Sequence, residues 1–167
     1  MRTSLILIWF LLASSICVIK SQEKQLFGFD ELDWGSTRVE VKDFMESKFN
    51  ISPGYEKDDA IGYHGGNYFG QDIFLWVYFF DAEGLEETDL VLKNTGRPLG
   101  ALFSETIHKL TLTYGDPDIY KPADWDAEWF YYDFPGKHLK AAIRVSPWSN
   151  EKMSSIKISF LKSDILN

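Results

Sequence analysis

Hydrophobic positions along this chain recur first at helical and then at strand spacing, and the change of period occurs twice. Thr37-Arg38-Val39-Glu40 offers a capping box, in which a hydroxyl and a carboxylate satisfy the free amides of a helix start. Val41, Phe44, Met45 and Phe49 follow at helical spacing, and Ser52-Pro53-Gly54 ends the run. A weak strand is predicted at Ala60 to Tyr63, then a turn at His64-Gly65-Gly66-Asn67. Ile73 to Phe80 is apolar at every position and is the strongest strand candidate. Asp81-Ala82-Glu83-Gly84 predicts a turn into an antiparallel partner, Leu85 to Leu92.

The second passage opens on Phe103, Ile107, Leu110 and Tyr114, the clearest helical stripe in the chain. Gly115 and Pro117 end it. Strands are predicted at Glu128 to Phe134, Leu139 to Ser146 and Met153 to Leu161, with a turn at Pro135-Gly136-Lys137. The last two alternate: Leu139, Ala141, Ile143 and Val145, then Ile156, Ile158 and Phe160, point to a core, while Lys140, Arg144, Lys157 and Ser159 point away. The pattern predicts an α+β protein of two helix-then-antiparallel-sheet (αβββ) units, about 30–94 and 95–163. Their helices are expected to pack on one sheet face, forming one globule over residues 22–167.

That arrangement raises the question of the aromatic strand. Ile73, Leu75, Val77 and Phe79 alternate with Phe74, Trp76, Tyr78 and Phe80, and a helix on one side of a sheet covers only one set. The expectation is a helix over the aliphatic set and an uncovered ring face that binds a partner protein. The candidate contacts are Phe74, Trp76 and Tyr78, joined by Trp129, Tyr131 and Tyr132 from the second unit. The competing expectation is that loops or the other unit close over these rings.

Composition changes the picture in two ways. Arg2, the apolar run Leu5 to Ile19 and the polar Lys20-Ser21-Gln22-Glu23 have the layout of a secretory signal peptide over residues 1–21, which implies export to the periplasm or the extracellular space. The run falls short of the ~20 residues that span a bilayer and Ser14-Ser15 interrupt it, so membrane contact is expected only transiently through this segment. Cys17 is the sole cysteine, and Ile16 stands where a lipobox requires a small residue. The exported domain is therefore expected to fold without a disulfide, as a chain near 150 residues can, by burying ~70% of its unfolded surface. Secondly, 25 acidic residues face 17 basic ones, a net charge of −8. That balance argues against nucleic acid or an anionic membrane as partner and suits a protein with a basic surface. Solubility alone would also account for it.

Trp34-Gly35-Ser36 ahead of a capped helix, an aromatic strand with an acidic turn, and a helix closing on Tyr114-Gly115-Asp116-Pro117 resemble the tandem helix-plus-sheet modules of secreted bacterial proteins. The best-known members by architecture are the β-lactamase inhibitor proteins and the small outer-membrane assembly lipoproteins. The resemblance implies a non-enzymatic binding protein: an inhibitor, an immunity-type factor or an accessory subunit of an envelope assembly. The chain departs from the inhibitors in lacking disulfides and from the lipoproteins in lacking a lipobox, so neither specific activity carries over.

Other residue groups could carry chemistry. Asp116, Asp118, Asp124, Asp126 and Glu128 crowd one loop, but the glycine and terminal glutamate of an EF-hand are missing, so a solvated loop is expected and no metal. Trp125, Trp129 and Trp148 near these acids could stack on sugar rings, and the alternative function is accordingly an envelope carbohydrate-binding module or hydrolase using Asp116 to Glu128. His64, His108 and His138 show no zinc-protease spacing, and no Gly-x-Ser-x-Gly elbow occurs. Asn50-Ile51-Ser52 matches a glycosylation sequon, with Pro53 directly after it. No cofactor and no catalytic residue is expected.

Overall fold

A computed structural model describes residues 26, 28–132 and 138–163. The signal-peptide reading of 1–21 and the turn at 135–137 lie outside the described residues. Thirteen elements follow in order: β1 (Gly28–Phe29), β2 (Leu32–Asp33), α1 (Arg38–Phe49), β3 (Tyr55–Glu56), β4 (Ala60–His64), β5 (Asn67–Tyr68), β6 (Gln71–Asp81), β7 (Gly84–Leu92), α2 (Leu99–Tyr114), β8 (Ile119–Lys121), β9 (Asp126–Tyr132), β10 (Leu139–Ser149) and β11 (Ser154–Lys162). The class is α+β. Nine strands form one antiparallel sheet in the order β3-β4-β6-β7-β11-β10-β9-β8, with β5 against β6, while β1 and β2 make a separate ribbon. The sheet is continuous because β7 pairs with β11, Leu90 opposite Ile158.

Local chemistry explains the elements. Thr37 caps α1 reciprocally: Glu40 N–H donates to Thr37 Oγ1 at 3.3 Å, and Thr37 N–H donates to Glu40 Oε2 at 2.7 Å. Asn50 ends α1 in the left-handed conformation at φ 54°. The β6–β7 hairpin closes with Asp81 opposite Gly84, and Gly84 is required: its φ is 118°, and a Cβ there would lie 2.2 Å from the Gly35 carbonyl oxygen. α2 begins four residues before Phe103, at Leu99, behind Pro98 rather than a side-chain cap.

Both helices and the β1–β2 ribbon bury their apolar residues on one side of the sheet. Val41, Phe44 and Met45 of α1, Leu102, Phe103, Ile107 and Leu110 of α2, and Phe29 and Leu32 of the ribbon share one cluster with the facing strand residues. Phe29 stands at its centre, with its ring 4.9 Å from Phe160 and 6.0 Å from Tyr78 between centroids.

The rings are closed over, as the competing expectation had it, and the contact role expected of Trp76, Tyr78, Trp129 and Tyr131 is corrected. Trp76 and Tyr78 are fully buried, Trp129 is 2% exposed and Tyr131 is buried, all on the helix side. Two features account for the reversal. The register of β6 against β7 shifts between Ile73 and Leu75, so Ile73, Trp76 and Tyr78 all face the helices, while Phe74, Leu75, Val77 and Phe79 do not. Three of these rings also find partners for their polar groups in the core: Trp76 Nε1 donates to the Gly65 carbonyl at 2.6 Å, Trp129 Nε1 to Gly115 at 2.8 Å, and the Tyr78 hydroxyl lies 3.0 Å from Met45 Sδ, whereas the Tyr131 hydroxyl is buried without a partner among the described residues. Among the described residues no helix is long and apolar enough to cross a membrane.

Candidate interaction face

With the rings turned inward, the second sheet face becomes the surface of interest, and among the described residues neither helix packs its apolar stripe on it. Strand pairing places its side chains in rows running across the strands. In one row stand Ala60, Phe79, Glu87, Leu161, Ala142 and Phe130, from β4, β6, β7, β11, β10 and β9. The next holds Gly62, Val77, Asp89, Ser159, Arg144 and Glu128 in the same strand order. A third holds His64, Leu75, Val91, Lys157 and Ser146. Val77, Asp89, Val91, Ala142, Ser159 and Leu161 lie buried between their neighbours, whereas Phe74, Leu75, Phe79, Phe130 and Trp148 stay half-buried.

The middle row carries charges, and each of its carboxylates is paired, Asp89 with Lys157 of the third row and Glu128 with Arg144. Asp89, only 7% exposed, accepts from Lys157 Nζ at 2.8 Å and from the Ser159 hydroxyl. Arg144 Nε donates to Glu128 at 2.8 Å from the neighbouring strand. Such charge-assisted bonds compensate the desolvation of groups on a partly dry surface. Tyr55 leans over this row from β3: it lies against Gly62, and burial, with Asp89 and Asp59 nearby, pushes its hydroxyl pKa up. Glu87 differs from the other carboxylates. Burial among apolar neighbours, then the Asp89 charge and a hydrogen bond to Asp89, push its pKa up to about 7 against the pull of Lys157.

At one end of the face, Phe74 on β6 and Trp148 on β10 approach to 6.0 Å between ring centroids, reaching over the two strands that separate them in the sheet. Of the six residues expected to contact a partner, Phe74 lies here and Tyr132, 52% exposed, ends β9. Trp76, Tyr78, Trp129 and Tyr131 do not join them. Phe79, Glu87, Phe130 and Leu161 escaped the sequence reading. Glu87 and Asp89 carried a signal, two acids at the two-residue spacing that puts them on one face of a strand.

Three carboxylates of the acidic loop are held by their neighbours. Asp118 Oδ2 accepts from the Phe130 amide at 2.7 Å, Asp126 faces Lys121 at 3.8 Å and Glu128 is held by Arg144. No group of three His, Cys, Asp or Glu side chains comes together as a metal site among the described residues. Trp125, at φ 52°, packs against the core rather than standing beside Trp148.

No family model matches the chain, and neither a curated protein nor a solved structure matches it. The candidate face is therefore defined by its own geometry: an antiparallel sheet helix-covered on one side, with half-buried rings and a charged row on the other.

Proposed function

We propose that the protein is an exported, non-enzymatic protein-binding module that meets its partner on the sheet face its helices leave open. One observation carries the reading: Phe74, Phe79, Phe130 and Trp148 project from three strands onto that face and remain half-buried around a charged row. Rings held on a rigid sheet lose little freedom on binding, and apolar anchors around a polar centre are the makeup of protein interfaces. The acidic balance of the chain favours encounter with a basic partner. The resemblance to inhibitor and envelope-assembly modules points in the same direction.

The test is capture of a partner from the organism's own envelope extract with wild-type bait and with a Phe79→Asp/Phe130→Asp bait. A stoichiometric protein retained by the first and lost by the second, at equal melting temperature, supports the reading. Retention by both baits, or retention of glycan in place of protein, refutes it.

A further inference from the structure

The open face carries one carboxylate that the fold leaves without a cation of its own. In the row Ala60, Phe79, Glu87, Leu161, Ala142 and Phe130, Glu87 is the only polar side chain, flanked directly by Phe79 and Leu161. Lys157, the cation that reaches this part of the sheet, is 2.8 Å from Asp89, and no ion pair to Glu87 forms among the described residues. Across the face Arg144 is likewise engaged by Glu128.

An interface over this row faces a physical constraint. An apolar partner laid on Phe79 and Phe130 would strip Glu87 of water without compensation, which opposes binding. A partner presenting an ammonium or guanidinium group at that point converts the penalty into a paired, hydrogen-bonded contact while keeping the apolar burial. Two carboxyls beside one lysine leave a net negative centre, which selects a cation over an anion. The Lys157 ammonium between the strands disfavours a bare divalent metal, and the apolar flanks favour a side chain with a hydrocarbon stem over a small hydrated amine.

Resting on the reading that the open face is the binding surface, we propose that this face receives its protein partner through one Arg or Lys side chain seated on Glu87, beside the buried Asp89, with the partner's apolar residues lying over the half-buried Phe79 and Phe130. The seat makes the partner choice charge-selective at a single point, because a neutral or acidic residue there leaves the Glu87 carboxylate desolvated without a cation.

Amide chemical-shift titration of the isotope-labelled protein at pH 8 with the peptide acetyl-Phe-Arg-Leu-amide, and with its neutral isostere carrying citrulline for arginine, tests the seat. The expected result is shifts at Phe79, Glu87 and Leu161 with the arginine peptide, and binding at least about fivefold weaker for citrulline. In Glu87→Gln the preference should vanish while citrulline binding is unchanged. Equal binding of both peptides on the open face overturns the cation seat and leaves the face as a binding surface. Shifts confined to the helix side, or none from either peptide, overturn both.

Discussion

Tyr55 lies against the α-carbon of Gly62: a Cβ added there would stand 1.9 Å from the ring's Cε1. The two are direct cross-strand partners, so the ring covers a position in the sheet that has no side chain to compete with it. Gly62→Ala should therefore displace Tyr55 and destabilise the protein by about 1–2 kcal/mol, readable as a fall in melting temperature. In a Tyr55→Ala background the same substitution should cost much less, because the clash is gone. Equal costs in both backgrounds would show that the contact does not govern the edge of the sheet.

Trp76 and Phe79 differ by three positions in one strand but belong to opposite faces. Trp76→Ser removes a fully buried ring and its bond to Gly65, and should cost about 3–5 kcal/mol or abolish folding. Phe79→Ser on the open face should stay within about 1 kcal/mol. Trp129 should behave as Trp76, and Phe130 as Phe79. Thermal unfolding of the four variants checks the assignment of faces; similar losses from Phe79 and Trp76 would contradict it.

Much of the scaffold was legible in the chain because its signals are local. The capping box at Thr37 and Glu40, the stripe Phe103, Ile107, Leu110 and Tyr114, and the acidic hairpin turn each depend on a few neighbouring residues. The orientation of β6 was not, since eight consecutive apolar residues carry no alternation to show which set faces the helices. It was decided by the register shift after Ile73 and by the distant helices the rings pack against. The candidate face was obscured for the same reason: Glu87, Phe79 and Leu161 become neighbours only through pairing between strands far apart in sequence, β7 with β11 among them.

Lys157 bridges the two halves of the sheet from β11 to Asp89 on β7. Lys157→Met keeps its hydrocarbon volume and removes the charge, leaving Asp89 with Ser159 alone and a second carboxyl close by. A loss of about 2 kcal/mol is expected, below the full value for breaking a deeply buried pair because the lysine is partly solvated. Asp89→Asn in the same chain should recover most of it. A double variant no more stable than Lys157→Met would place the cost in packing instead of charge.

Glu87 should make stability depend on pH in a direction opposite to that of most carboxylates. Its folded pKa is raised from 4.5 to about 7, by burial first and then by Asp89, with Glu86 adding to the rise and Lys157 opposing it. Below pH 4.5 both folded and unfolded chains hold the proton. Between about 4.5 and 7 the folded chain keeps it while the unfolded chain releases it, so this group's contribution is lost as pH rises through that window. Glu87 is partly solvated, which discounts the effect to about 1–2 kcal/mol. Glu87→Gln should therefore raise the melting temperature at pH 8 by a few degrees and leave it nearly unchanged at pH 5. Phe79 and Leu161 do not titrate, and Asp89 remains in the variant, so the difference between the two pH profiles isolates Glu87. Parallel profiles for wild type and variant would show that this carboxyl is ordinarily solvated and that its apolar row does not strip it of water.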